Sequence, residues 1–184
     1  MQNHTIGVWA SADEHTREEE LAWKIAMLAS DGEPVEPDVE LMVVNRIIDN
    51  AAVAMAALNR SPVIAARDQA LAHSRHKGAT LFGMGREHKV HSEWAAWANG
   101  TAVRELDFHD TFLHLEFGHP GDNICPLLAV AQQMQIAGAD IIRGIATAYE
   151  VHVALMRSIQ LHAHKIDHVA HTGVATVAGI GAMM

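Results

Sequence analysis

The chain has 184 residues, 49% hydrophobic and 19% charged, a balance that suits one globular domain with a substantial core and excludes a disordered segment. Thirteen Lys and Arg stand against 22 Asp and Glu, a formal charge of −9 with His neutral. No nucleic acid and no anionic membrane is therefore expected as partner, and an anionic ligand needs locally placed cations. The single Cys125 excludes an internal disulfide, as well as the three-cysteine ligation of an aconitase-type iron–sulfur cluster.

The amino terminus has neither the basic nor the apolar region of a secretory signal. The weakly polar run from Val169 to Met184 is too short and too rich in Gly and His to span a bilayer. A cytoplasmic protein without a membrane span is expected.

Thirty-one alanines, nine methionines and few aromatics predict a mainly α, all-helical domain. Thr16 followed by Glu19 is a capping-box pattern. Leu21, Ile25 and Leu28 then recur at helical spacing until Asp31-Gly32 stops the segment. After Pro34 and Pro37, the positions Val39, Val43, Ile47, Ala51, Met55 and Leu58 form an apolar stripe along a long second helix. Ser61-Pro62 opens a third, running to about His73.

A short β-hairpin is expected near residues 79–90, from Ala79 to Phe82 and Lys89-Val90 on either side of Gly83 and Gly85. Ser92 caps a helix carrying Trp94, Trp97, Ala98 and Thr101, and helices resume near Asp122 and Asp140. In the last of these, Ile141, Ile145, Ala148, His152, Leu155 and Ile159 share a face, which makes His152 a core histidine. His164 to His171 reads as a polar connector. Close helix packing explains the glycines at 173, 179 and 181 better than a phosphate loop does, because no Gly-Lys-Ser/Thr follows them.

The stretch from Asn99 to Pro126 concentrates Asp107, His109, Asp110, Thr111, His114, Glu116, His119 and Asp122 among Phe108, Phe112 and Phe117. This pattern suggests a partly dry wall in which proton affinities are tuned. A metal site is one reading of Asp107, His109, His114 and His119. However, histidines five apart share no helical face, and neither a His-Glu-x-x-His nor a Cys pair is present, so no metal is expected. Cys125, between Ile124 and Pro126, reads as a small buried thiol rather than a nucleophile.

Asn99-Gly100-Thr101-Ala102, the run Asp107 to Phe112, and Gly118 to Asn123 closely resemble the MmgE/PrpD family, in its dehydratase branch rather than its decarboxylase branch. The likeness extends from Val43 to Asp49, through Gly78 to Gly83, to Ile166-Asp167-His168-Val169. The resemblance implies that residues 1–184 are the N-terminal portion of a single helical domain. The family's α/β lid and the carboxyl-terminal remainder, with its substrate-binding lysines, are absent from this chain. It also implies a cofactor-independent lyase and a homodimer.

The implied reaction is dehydration of 2-methylcitrate, a tricarboxylate, in propionate catabolism. Decarboxylation of cis-aconitate is the alternative within the family. A metal-dependent hydrolase and an inactive helical fragment are the alternatives outside it. Carried over by motif, the catalytic residues are Asp107, His119 and His168, with Thr111 binding substrate. His114 competes with His119 for its place.

Such an elimination needs a base for a C–H proton beside a carboxylate, an acid for the departing hydroxyl, and groups that stabilise the enolate-like charge. Asp107 or His119 would serve as base. His168 would act on the hydroxyl or clamp a carboxylate.

Overall fold

A computed structural model describes residues 5–184, and the chain is mainly helical as expected. Thr16 and Glu19 meet as the capping-box pattern predicts, with the Thr16 N–H donating to Glu19 Oε2 at 2.8 Å. They open a 3-10 turn, Arg17–Glu19, and α1 (Leu21–Ala29) follows it. Next come α2 (Pro37–Ala57), α3 (Ser61–Leu71), the strand pair β1 (Ser74–Thr80) and β2 (Lys89–Val90), and α4 (Ser92–Arg104). A second strand pair, β3 (Phe112–Leu113) and β4 (Phe117–Gly118), leads through a 3-10 turn, Pro120–Asn123, into α5 (Ile124–Met134). The chain closes with α6 (Gly138–Ser158), a 3-10 turn at Leu161–His164, and α7 (Val169–Met183).

Helix α5 lies at the centre of the core. Its Leu127 and Ala131 pack with Val43 of α2, Ile145 and Ala148 of α6, and Met183 of α7, while its Cys125 faces Ala54, Ala57 and Val103. Its Ala129 joins a third cluster, in which Ala66 and Ala70 of α3 and Ala95 and Ala98 of α4 close over Ala79 and Val90 of the first strand pair. Alanine fills many of these buried positions, so the helices approach closely and leave little room for added side chains. The tightest approach is between α6 and α7. A Cβ on Gly179 would lie 2.5 Å from the Gly144 carbonyl oxygen, which confirms close packing for that glycine, whereas Gly173 has open space around it.

Three expectations are corrected. The buried face of α2 is Val43, Asn50, Val53, Ala54 and Ala57, so Val39 and Met55 of the expected stripe face outward. Leu41, Val44, Ile48 and Met55 instead form an exposed apolar line at heptad-like spacing. The expected hairpin begins earlier, at Ser74. His171 is not a connector residue: it is buried in the first turn of α7, with Nε2–H directed at the Ile159 carbonyl 3.1 Å away.

Among the described residues no single helix is long and apolar enough to cross a membrane. Helices α2 and α3 pass such a test only together, and they are bent by 102°.

Candidate active site

Helix α4 ends at Arg104, and the chain turns sharply at Asp107, whose φ of 53° is in the left-handed region, one that Asp tolerates better than most residues. The turn exposes the Asp107 carboxylate and starts the loop into β3. Asp110 anchors that loop: its Oδ1 accepts the Gly121 N–H at 2.8 Å, and Arg46 of α2 lies 4.0 Å from Oδ2. Gly121 must lack a side chain here, because a Cβ would sit 2.3 Å from Asp110 Oδ1.

The returning strand delivers His119, which is buried. Its Nδ1 is 3.0 Å from the Asp110 carbonyl oxygen, an acceptor only, so Nδ1 carries the proton and Nε2 presents its lone pair. Thr111 Oγ1 lies 3.2 Å from the same Nδ1. On the other side of the ring, Asp107 Oδ1 is 3.6 Å from Nε2. His168, at the amino-terminal end of α7, places its ring 5.9 Å from that of His119. The structure thus brings Asp107, Thr111, His119 and His168 into one neighbourhood. His114 is exposed on the turn between β3 and β4, with its ring 6.3 Å from Phe112 and outside the cluster.

Burial pushes the His168 imidazole below its ordinary pKa, with Asp167, 3.1 Å from Nδ1, opposing the shift. The ring is therefore neutral near pH 7, which suits a hydrogen-bonding role better than a charged clamp.

Several residues that motif reasoning left out belong to the same assembly. Arg104 donates to Asp107 Oδ1 at 2.9 Å and supplies a cation beside the cluster. His109, stacked 4.6 Å from His119, donates from Nε2 to Asp122 Oδ1 at 2.8 Å. Glu116 is buried and accepts from the His162 N–H at 2.9 Å, from His162 Nδ1 at 2.7 Å and from the Phe117 N–H at 3.0 Å. The His162 backbone N–H, reinforced by the other donors, holds the Glu116 carboxyl down to about 2. This carboxylate ties the turn after α6 to β4, and Phe117 stacks on His162 at 4.8 Å and lies tilted 4.9 Å from His168.

Beneath the cluster, Asn123 donates from Nδ2 to the Pro120 carbonyl at 2.8 Å and to His152 Nδ1 at 3.0 Å, and its Oδ1 accepts from Thr176 Oγ1 at 2.7 Å. His152 is fully buried, as expected, and desolvation lowers its pKa to about 4.

The expected phenylalanine wall is not dry. Phe108 is 78% exposed and Phe117 41%; Phe117 lies against the rings of His162 and His168, while His109 and His119 stack on one another.

Asp107, His109 and His119 each offer one metal-ligating atom within 4.8 Å of the others, a closer grouping than their sequence spacing suggested. Asp107 Oδ1 already holds the Arg104 guanidinium, whereas His109, whose Nε2–H is donated to Asp122 Oδ1, keeps its Nδ1 buried without a partner.

A mainly helical fold with a histidine–carboxylate cluster at one end of its central helix defines the class. Residues 19–184 match the MmgE/PrpD N-terminal domain, and the chain belongs to the MmgE/PrpD family. It is 32% identical over 111 residues to the mitochondrial 2-methylcitrate dehydratase of Yarrowia lipolytica, a match covering 54% of this chain and 21% of that protein. It is 29% identical over 102 residues to the probable 2-methylcitrate dehydratase of Saccharomyces cerevisiae, covering 48% and 20%. It is 27% identical over 110 residues to the 2-methylcitrate dehydratase of Escherichia coli O157:H7, covering 54% and 23%. The matched segment spans about a fifth of the length of these relatives. The relatives matched are dehydratases by name.

Proposed function

We propose that this chain supplies catalytic residues for the dehydration of 2-methylcitrate to 2-methyl-cis-aconitate in propionate catabolism, by acid–base elimination of water without a cofactor. The observation that carries this reading is the opposition of His119 Nε2 and Asp107 Oδ1 at 3.6 Å, with Nδ1 committed to a backbone carbonyl. Such a ring can take a proton only at Nε2, and the carboxylate lies where the resulting positive charge develops.

His119 therefore serves as the base that removes the C–H proton. His168, neutral and 5.9 Å away ring to ring, hydrogen-bonds the departing hydroxyl rather than clamping a carboxylate, and the hydroxyl leaves as water with the proton that His119 has taken. Thr111 orients the substrate and the His119 ring together. Arg104 provides the cation that a tricarboxylate needs in a chain of charge −9.

The residues described here are the amino-terminal part of one helical domain, and the whole reaction is proposed for the enzyme with its lid and remaining substrate-binding segments. The exposed line of Leu41, Val44, Ile48 and Met55 on α2 supports a homodimer or a further segment covering this face.

In the full-length enzyme, His119→Ala is expected to lower the formation of the ultraviolet-absorbing conjugated product from 2-methylcitrate by about 10²-fold or more. Turnover within about threefold of the parent would discard the assignment. Asp107→Asn, which keeps the shape and removes the charge, should fall between the two. Release of CO₂ from cis-aconitate in the same preparation would transfer the reading to the decarboxylase branch.

A further inference from the structure

The first strand pair is irregular. Ser74 and Ala79, five positions apart, both pair with Val90, so Arg75, His76, Lys77 and Gly78 are looped out of the ladder. The backbone is built for this. Lys77 has a φ of 58°, in the left-handed region that a lysine rarely occupies, and a Cβ on Gly78 would lie 2.1 Å from the Val90 carbonyl oxygen. The floor is rigid, because Ala79, Leu81 and Val90 are buried against α3 and α4.

The bulge faces the residues leading into β2 across an open cavity of about 390 Å³. Arg75, Lys77, Arg86 and Lys89 line it, and the one carboxylate there, Glu87, lies 3.4 Å from its neighbour His88. Among the described residues, no carboxylate comes within 4.0 Å of the charged nitrogens of these four cations. In a chain with 22 acidic and 13 basic residues, four cations lining one cavity with a single carboxylate, itself not paired with any of them, leave a local excess of positive charge that a bound anion would relieve.

We propose that this bulge is a binding site for a small, multiply charged oxyanion, a polyphosphate or a polycarboxylate, separate from the Asp107–His119 cluster. The Arg86 guanidinium fork matches paired oxyanion oxygens, Arg75 offers the nitrogens it does not direct at His91 Nδ1, 3.2 Å from its Nη1, and two ammonium groups add compact charge. The volume is that of a small-molecule site. The overall charge of −9 disfavours an extended polyanion, so the ligand is small enough to sit within the reach of the hairpin alone.

The test is isothermal titration of the 184-residue chain with tripolyphosphate and, separately, with citrate, both in about 0.1 M salt. One-to-one binding is expected for at least one of them. The double variant Arg86→Gln/Lys89→Gln should weaken that binding at least about tenfold. Lys77→Gly removes a charge while relieving the left-handed backbone, so it keeps the fold and should also weaken binding. Arg17→Gln, a distant exposed cation, should leave binding unchanged.

Binding of tripolyphosphate alone would assign a phosphate ligand, and binding of citrate alone a polycarboxylate. The proposal is overturned if neither ligand binds at millimolar concentration. It is also overturned if the double variant binds within about threefold of the parent, or if Arg17→Gln costs as much as the hairpin changes.

Discussion

His119 and Asp107 meet because two local features aim them. A left-handed residue at the end of α4 turns the carboxylate out, and the Asp110 carbonyl fixes which ring nitrogen of His119 carries the proton. Asp107, Thr111 and His119 lie within a dozen positions of one another, and they and the distant His168 were legible in the sequence through the family motifs they occupy. Arg104 had a weaker signal: an arginine three residues before Asp107 is at the spacing at which a helix end pairs charges, and the structure shows that pair at 2.9 Å. The Glu116–His162 pair had none, since its partners are 46 positions apart. Cys125 behaves as its apolar neighbours predict. Burial, with a smaller contribution from Asp122, pushes its thiol up to about 12. Iodoacetamide should accordingly label the native chain at least about a thousandfold more slowly than the urea-unfolded chain at pH 8, as mass spectrometry would show.

At the scale of elements, periodicity identified the helices more reliably than it identified their buried faces. Helix α2 carries apolar residues on several faces, so a stripe can be drawn in more than one register; packing with α5, α6 and α7 buries Val43, and packing with α3, α4 and Cys125 of α5 buries Ala54 and Ala57. The glycines of α7 likewise look alike in the sequence but differ in their surroundings. Gly179→Ala would force a methyl group to within 2.5 Å of the Gly144 carbonyl oxygen and should destabilise the chain by about 1–3 kcal/mol. Gly173→Ala, in open space on a helix, should stabilise it by about 0.5–1 kcal/mol. Urea unfolding midpoints that moved in the same direction for both would contradict the close α6–α7 approach. The strand pair β3–β4 escaped sequence reading because each strand is only two residues long, too short for alternation to register.

For the whole molecule, the buried titratable groups set how stability depends on pH. His152 has an ordinary pKa of 6.5 and a folded value of about 4, so the unfolded chain takes up a proton that the folded chain refuses. Stability should decline as pH falls from 6.5 to about 4, by on the order of 3 kcal/mol, and His168 is shifted in the same direction. Glu116 takes over below that. Its carboxyl is lowered from 4.5 to about 2, so the stabilisation it gives is complete above 4.5 and is lost as pH falls through 2. Urea midpoints measured across this range should show His152→Gln flattening the upper window and Glu116→Gln the lower one.

Composition alone determined a helical, acidic chain without disulfides, because alanine content, charge balance and cysteine number act through local propensity and simple counting. The motif run carried the family and named most of the residues that now cluster. Tertiary structure decided which histidines face one another, which cation joins them and which are buried neutral. Those outcomes depend on contacts between α4, the β3–β4 turn and α7, segments that span more than 60 positions, and no periodicity along a chain encodes a distance across it.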